Sequence, residues 1–569
     1  MKILRVWLIA ICLSTTVWSK ESDLAIKITQ FARSPEWLGH FFYDGETDRY
    51  TSLVESSYYF LSKTGKYNPE DELRETIRRL STVEDIAEED YCRYVGRFEL
   101  VLNWFPEYRK STHTCKAFNE WQSTLSIDEV RLSFATGFIK NPASSFGHLF
   151  LKLVSKKQKA ELLNYGINFS AQTGEDTGAI YALKGLIGQY RGTFTFLPYH
   201  QLIKDYSDLE GRDIWELDLK LDEFARMRLL RFIYEFDSNY IDYTFANNNC
   251  AGILERLVHY LQQRPLNRLR ELKPWTIPLE SFQEMASGVD LQTYYFIPSL
   301  KTQLAFMETQ LTQLEKQKIK YEFQTRDFQY LSGRELDYVT LDRKLNRINP
   351  DSNYDLELMK ARSRINVETH FKELNKSNPK AELIETPKTS VLGVYKMGSD
   401  FGVEVGFLSE RLIYGRNLSE INILNFRTQN TSTEKKRSML KDVEIFSFLA
   451  GESVDFLHSP FSYGVGIFYR DNLDIVAEGN LGVLLKKDDW LFFPKMHAEA
   501  GKRHNRIVPE IDIYNFSAVV NSKLTIGHEN IRLDFFRYFK PTMGIHVVNI
   551  YDTGRRVLTD TSLSGLIFF

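Results

Sequence analysis

Cysteine is scarce in this chain of 569 residues: Cys12, Cys92, Cys115 and Cys250 are its whole supply, which excludes a small scaffold stapled by disulfides. A surplus of basic residues is missing too. The 72 Lys and Arg stand against 75 Asp and Glu, for a net charge of −3, so there is no electrostatic footprint for a nucleic acid. Beyond residue 19 no segment supplies the roughly 20 apolar residues of a membrane-crossing helix. His, Cys and Glu nowhere take the spacing of a zinc site, and Gly185 to Gly192 lacks the Lys-Ser/Thr ending of a phosphate loop. Neither a metal nor another cofactor is expected.

Aromatic residues abound, with 30 Tyr and 40 Phe, and large β-surfaces and membrane belts are the usual homes of such rings. The N-terminus reads as an export signal. Lys2 and Arg5 precede the apolar run Val6 to Leu13, and Val17-Trp18-Ser19 ends residues 1–19 with a small residue at the cut. A lipid-attachment motif at Cys12 is rejected, because Ile11 stands where a small side chain is needed. Export implies an oxidising compartment, in which Cys92 and Cys115, 23 positions apart, are the local pair to close. Cys250 is then the odd thiol, either a small buried hydrophobe or a reactive group.

Four textures follow the leader. In residues 20–125, Leu24, Ile28 and Phe31 repeat at helical spacing, as do Leu73, Ile77 and Leu80, which predicts a helical N-terminal domain. Residues 126–297 alternate β-like runs with glycine turns and finish in helices, a compact α+β domain. Residues 298–389 are charged and helical, with Leu304, Met307, Leu311 and Leu314 in one stripe, and read as a connector. From 390 to 569, runs such as Val403 to Phe407 and Tyr463 to Tyr469 alternate apolar with small or polar residues. They predict an antiparallel β-barrel of about 8–10 strands. The chain ends in Phe569 with Ile567 and Leu563 in phase, similar to the closing strand of outer-membrane barrels. A soluble β-sandwich would show the same alternation. Closure and aromatic girdles favour the barrel.

Two stretches carry the residue types of thiol chemistry. In Asn141-Pro142-Ala143-Ser144-Ser145-Phe146-Gly147-His148, a Pro/Ser turn feeds a strand with His148 near its start. In Asn247-Asn248-Asn249-Cys250, three asparagines suit a turn and a helix cap, and Ala251, Leu254, Leu257, Val258 and Leu261 form one helical stripe. Cys250 is thereby placed at a helix N-terminus, whose dipole favours a thiolate. An imidazole in reach would complete the activation. Asn164 on the adjacent strand is the candidate third group, with Ser144 and Ser145 as alternatives, and the Cys250 backbone N–H with Asn249 would meet an oxyanion. His200 is read as structural or substrate-facing, and His259, nine residues along the Cys250 helix, lies too far from its start to serve.

The stretch Asn141 to Leu153, then Gly185 to Tyr199, Tyr206, Glu210-Gly211-Arg212-Asp213-Ile214-Trp215-Glu216 and Asn249-Cys250, resembles the Lnb N-terminal periplasmic domain family. The portion from Cys92-Arg93-Tyr94 to Cys115 is similar to the helical region preceding that domain. The resemblance spans about residues 25 to 265. It implies a circularly permuted papain-like fold, akin to the lecithin:retinol acyltransferase group and the NlpC-type hydrolases, with Cys250 as nucleophile and His148 as base. The family is named for a lipoprotein N-acyltransferase, so the implied partner is a phospholipid or lipoprotein acyl substrate reached through a Cys thioester. A barrel in place of membrane helices implies the periplasmic face of the outer membrane. The expected function is therefore an envelope thiol acyltransferase or lipid-acyl hydrolase. The alternatives are an NlpC-type peptidase or amidase on peptidoglycan peptides, and a non-catalytic barrel with a periplasmic binding domain.

Overall fold

A computed structural model of the chain describes residues 23–46, 49–82, 86–138, 144, 146–158, 160–176, 178–264, 275–286, 294–325, 328–331, 333–345, 390–397, 400–414, 417–430, 442–453, 455–470, 474–487, 490–502, 505–516, 520–527, 530–540, 543–553 and 557–568. Residues 1–22, with Cys12 and the expected export signal, Ser145, the 346–389 part of the expected connector and Phe569 lie outside the described residues. The chain divides into two compact units. One takes Met1–Phe134, His148–Leu202 and Glu216–Ser287; the other takes Ala135–Gly147, Ile203–Trp215 and Gly288–Phe569. The contiguous α+β domain expected at 126–297 thus lends two short segments, 135–147 and 203–215, to the second unit.

In the first unit, residues 23–32 are helical and lead into α1 (Pro35–His40), where Ser34 caps the Trp37 N–H and a proline opens the first turn. The hairpin β1 (Tyr43–Glu46) and β2 (Arg49–Ser52) precedes α2 (Pro69–Thr82). The stripe read from the sequence turns inward, with Leu73, Ile77 and Leu80 all buried. Then come α3 (Glu88–Arg93), α4 (Val95–Trp104) and α5 (Lys116–Leu125). Cys92 in α3 and Cys115, the residue before α5, form the disulfide the sequence paired. The sheet follows as β3 (Glu129–Ala135), β4 (His148–Val154), β5 (Tyr165–Gln172), β6 (Tyr190–Pro198), β7 (Ile214–Asp218) and β8 (Ile241–Tyr243), side by side in the order β8-β6-β5-β4-β3-β7. Between these strands lie α6 (Gly178–Leu186), α7 (Tyr199–Leu202) and α8 (Glu223–Phe236), and after them α9 (Cys250–Leu261) and α10 (Pro278–Ala286). Part of the aromatic surplus is buried here: Phe31, Trp37, Phe41, Phe42, Tyr59, Phe232, Phe236 and Tyr260 are all nearly inaccessible.

The second unit contains β9 (Tyr294–Ile297), the helices α11 (Leu300–Gln310), α12 (Gln313–Thr325) and α13 (Gly333–Leu345), and the barrel. Leu304, Met307 and Leu311 are buried as expected, but Leu314 is 75% exposed. The helix ends at Leu311, whose backbone is extended (φ −84°, ψ 132°), so the stripe breaks phase there. The motif Glu210 to Trp215 acts as a bolt. Arg212 donates to the carbonyls of Thr136 and Ala135, and the Asp213 carboxylate accepts the Ser299 N–H (2.7 Å) and the Thr302 hydroxyl (2.9 Å).

The barrel closes with twelve strands, not the 8 to 10 expected. They are β10 (Val391–Met397), β11 (Asp400–Tyr414), β12 (Asn417–Asn430), β13 (Asp442–Glu452), β14 (Phe461–Arg470), β15 (Asp474–Val483), β17 (Trp490–Ala500), β18 (Asn505–Phe516), β19 (Val520–Ile526), β20 (Asn530–Lys540), β21 (Met543–Asp552) and β22 (Val557–Phe568); the short β16 (Leu485–Lys487) sits against β17. β10 pairs with both β11 and β22, and β15 with β17, so every long strand has two antiparallel neighbours. Closure satisfies backbone groups that lipid could not. Alternation sorts the side chains. Phe461, Tyr463, Val465 and Ile467 of β14 point outward and are exposed, whereas Glu499, Asp512, Asp534 and His546 are buried. The buried charges are paired, Lys495 with Asp512, Arg506 with Glu499, and Arg532 and His546 with Asp534, as burial of ions requires. An apolar outside and a polar inside are the pattern of an outer-membrane-type barrel.

Candidate functional site

Cys250 is the first residue of α9, and the loop before it is held by side chains. The Thr244 hydroxyl oxygen accepts the N–H groups of Asn247 and Asn248. Asn249 is the cap: its Oδ1 accepts from Ala251 N (2.9 Å) and Gly252 N (3.0 Å), while its Nδ2 donates to the carbonyls of Phe245 (3.1 Å) and Thr276 (2.7 Å). That corrects the oxyanion role expected of the Asn249 amide, because every hydrogen-bonding position of this side chain already builds the turn. Gly252 is needed as well, since a Cβ there would lie 1.9 Å from the Asn247 carbonyl oxygen. Cys250 itself is only 4% exposed, so any substrate must reach a sulfur that the resting fold covers.

His148 opens β4 directly after Gly147, whose φ of +92° is the left-handed region that favours glycine. Its Nε2 lies 2.6 Å from Oδ1 of Asn168 in β5. An amide oxygen only accepts, so Nε2 bears the proton and Nδ1 of the neutral ring is the basic nitrogen. The helix α9 packs against β4 and β5, the two strands that carry this pair. The hydrogen bond to the His148 ring, expected from Asn164, comes instead from Asn168. Asn164 ends the turn before β5, where its Oδ1 accepts the Ser155 N–H (2.9 Å) and its Nδ2 donates to the Glu161 carbonyl (3.0 Å). The Ser144 carbonyl accepts from Phe138 and Gly147, closing the turn before His148. His200 lies exposed on α7, and His259 in the last turn of α9.

Further along β4, Lys152 is fully buried and donates to Glu216 of β7 (3.0 Å) and Glu161 (3.1 Å). Glu216 also accepts from Tyr199 (2.6 Å) and Arg131 (3.3 Å). Burial and the Glu216 carboxylate push the Tyr199 hydroxyl well above its ordinary pKa. Burial opposes the charge on Glu161, yet Lys152 and Arg131 hold it below the usual carboxylate range. This network ties three strands and α7 together, and strand alternation sets Lys152 on the same face as His148.

Sequence reasoning missed the fixture at the other end of α9. His40 Nδ1 meets the Tyr260 hydroxyl (3.0 Å) and its Nε2 meets Glu235 (3.1 Å); Arg97 bridges Glu235 (2.6 Å) and Glu72 (2.7 Å) between the rings of Phe41, Tyr59 and Tyr94. Burial opposes ionisation of Glu235, but Arg97 and His40 hold its pKa at about 2; burial lowers that of His40. The only signal was a charged residue inside each apolar stripe, Arg97 beside Phe98 and Glu235 beside Phe236. A cleft of about 710 Å³ opens near Tyr260, lined by Asp222, Arg228, Arg231 and Gln263, and holds none of the residues singled out for thiol chemistry.

Residues 117–288 match the family described as the Lnb N-terminal periplasmic domain, and residues 29–103 match a domain of unknown function, DUF7843. No curated protein matches the chain. The first of these matches covers α5 through α10, including His148, Asn168 and Cys250, and the second covers most of the helical region before them. A periplasmic domain followed by an outer-membrane-type barrel makes this an envelope protein.

Proposed function

We propose that this envelope protein, an Lnb-type periplasmic domain joined to a twelve-strand barrel, is a cysteine acyltransferase or lipid-acyl hydrolase acting at the periplasmic face of the outer membrane. One observation carries the reading: the helix that begins at Cys250 packs on the strands that bear the hydrogen-bonded His148 and Asn168. Nδ1 of His148 takes the Cys250 thiol proton, and the thiolate attacks the ester carbonyl of an acyl lipid. The carbon–sulfur bond forms, the ester carbon–oxygen bond breaks, and the imidazolium returns its proton to the departing alkoxide. An amine, alcohol or water then gives its proton to His148 and attacks the thioester, and the sulfur leaves as thiolate. Asn168 keeps the proton on Nε2, so that Nδ1 stays the base throughout. The backbone N–H of Cys250, at the positive end of α9, is aligned with the charge that develops on the carbonyl oxygen.

Intact-mass analysis of the purified full chain, incubated with phospholipid vesicles, tests this. The wild type should gain the mass of one acyl group, lost again on hydroxylamine treatment, and Cys250→Ala should gain none. An equal adduct on Cys250→Ala, or none on either protein, overturns the proposal. Release of muropeptide fragments that depends on Cys250 would assign the thiol to amidase chemistry instead.

A further inference from the structure

Among the described side chains of α6 and the turn after it, Ile180, Leu183 and Ile187 are 60%, 60% and 58% exposed. They are spaced i, i+3, i+7, and the Ile187 N–H still bonds the Leu183 carbonyl, so the three share one face of a continuous helical turn. An exposed stripe of large aliphatic residues in a surface helix is unusual unless something apolar covers it. The opposite side of α6 is not loose. A Cβ on Gly185 would lie 2.2 Å from the Phe245 ring, the Phe245 N–H bonds the Gly185 carbonyl, and Tyr181 packs on Phe245 at 5.1 Å. The Phe245 carbonyl in turn accepts from Asn249, the cap of the Cys250 helix. Two steps of direct contact thus join the apolar stripe to the residue before Cys250.

We propose that α6 is a membrane-surface helix: its Ile180, Leu183 and Ile187 face enters the lipid layer and holds the Cys250 loop against it. The occupant follows from this chain's own make-up. The same polypeptide carries a barrel with an apolar outer face, so lipid is always within its tether. The stripe is aliphatic and lacks the Tyr, Trp and Arg anchors that mark protein interfaces. A short amphipathic helix of this kind lies in the interface rather than across it. The link from this contact to catalysis rests on the nucleophile reading of Cys250; the contact itself does not.

The experiment has two arms in the full chain, reconstituted in phosphatidylethanolamine/phosphatidylglycerol vesicles. In a Cys250→Ser background, Leu183→Cys carries an environment-sensitive fluorophore, and Lys157→Cys, at an exposed polar position, is the control. Position 183 should shift to the blue and be quenched by spin-labelled lipid, and position 157 should do neither. Equal behaviour at the two positions overturns the proposal. A shift that grows with protein concentration and resists the lipid quencher assigns the stripe to a second copy and overturns it too. In the second arm, Ile180→Ser/Leu183→Ser/Ile187→Ser, checked for an unchanged circular dichroism spectrum, should act roughly tenfold more slowly on vesicle lipid and at the wild-type rate on a soluble short-chain ester. Equal loss on both substrates, or none on either, contradicts the coupling. If the wild type acts on neither substrate, the nucleophile reading fails while the fluorescence arm still decides the contact.

Discussion

Asn164 and Asn168 stand four positions apart in phase with each other, so alternation along the strand cannot choose between them as the partner of His148. Register decides it: Phe150 pairs with Asn168 across β4 and β5, which brings Asn168 beside the ring two residues earlier. Register depends on long-range pairing, and one sequence does not reveal it. The helix start at Cys250 and the strand start at His148 were legible because each boundary carries local punctuation, three asparagines in one case and Gly147 in the other. Asn249 was legible as a cap and over-read as an oxyanion donor, since the Thr276 carbonyl that occupies its amide is 27 positions away in the chain. In the proposed mechanism Asn168 acts on the reacting atoms through His148, and a pH profile separates that role from mere packing. Asn168→Ala should lower kcat by about 10² or more with little change in KM. Asn168→Asp, which keeps an acceptor, should retain more activity and move the imidazole limb of the profile to higher pH, because a carboxylate stabilises the protonated ring. Equal rates and profiles for both variants would remove Asn168 from the mechanism.

The helices of the N-terminal region and α8 and α9 are joined through His40, Arg97, Glu235 and Tyr260, and acid sensitivity is the predicted consequence of this joint. Glu235 has a folded pKa of about 2 against an ordinary 4.5, so its contribution is present above pH 4.5 and is lost as pH falls toward 2. His40 is lowered from 6.5, so the unfolded chain binds its proton more readily and stability also declines as pH falls below 6.5. Both effects have the same sign. Urea unfolding followed by tryptophan fluorescence should show resistance falling steadily from pH 6.5 downward, most steeply below 4.5. Glu235→Gln should unfold more easily at pH 7, by about 3 kcal/mol for a broken buried pair, and show a flatter acid limb. A wild-type midpoint that does not change between pH 7 and pH 4 would show that the joint does not govern stability. Element type was well read for strongly periodic segments. The expected strand count fell short of twelve, and at β12 and β13 the pattern is broken locally: Leu424 has φ +53° in β12, and β13 shifts register between Glu444 and Phe446, so the period of two breaks.

Across the molecule, the sequence's texture changes marked the barrel's start, and β10 begins at Val391 against the expected 390. What it could not mark was the exchange of segments 135–147 and 203–215 between the units, which depends on contacts such as Arg212 to Thr136 and Asp213 to Ser299. The buried rings of the first unit were not foreseen for a related reason: composition counts rings without saying which core holds them. A closed barrel with inward ion pairs resists detergent until heated, so unboiled protein should migrate faster than boiled protein in dodecyl sulfate gels. Identical migration, together with solubility after detergent removal, would contradict a membrane barrel.

The proposed thiol chemistry depends on coupling between the sulfur of Cys250 and the ring of His148. The pH dependence of Cys250 alkylation by iodoacetamide in the full-length protein measures it directly, wild type against His148→Ala. The wild type should react with an apparent thiol pKa well below the ordinary value of about 8.5, and His148→Ala should return toward that value. Superimposable curves for the two proteins would contradict the account.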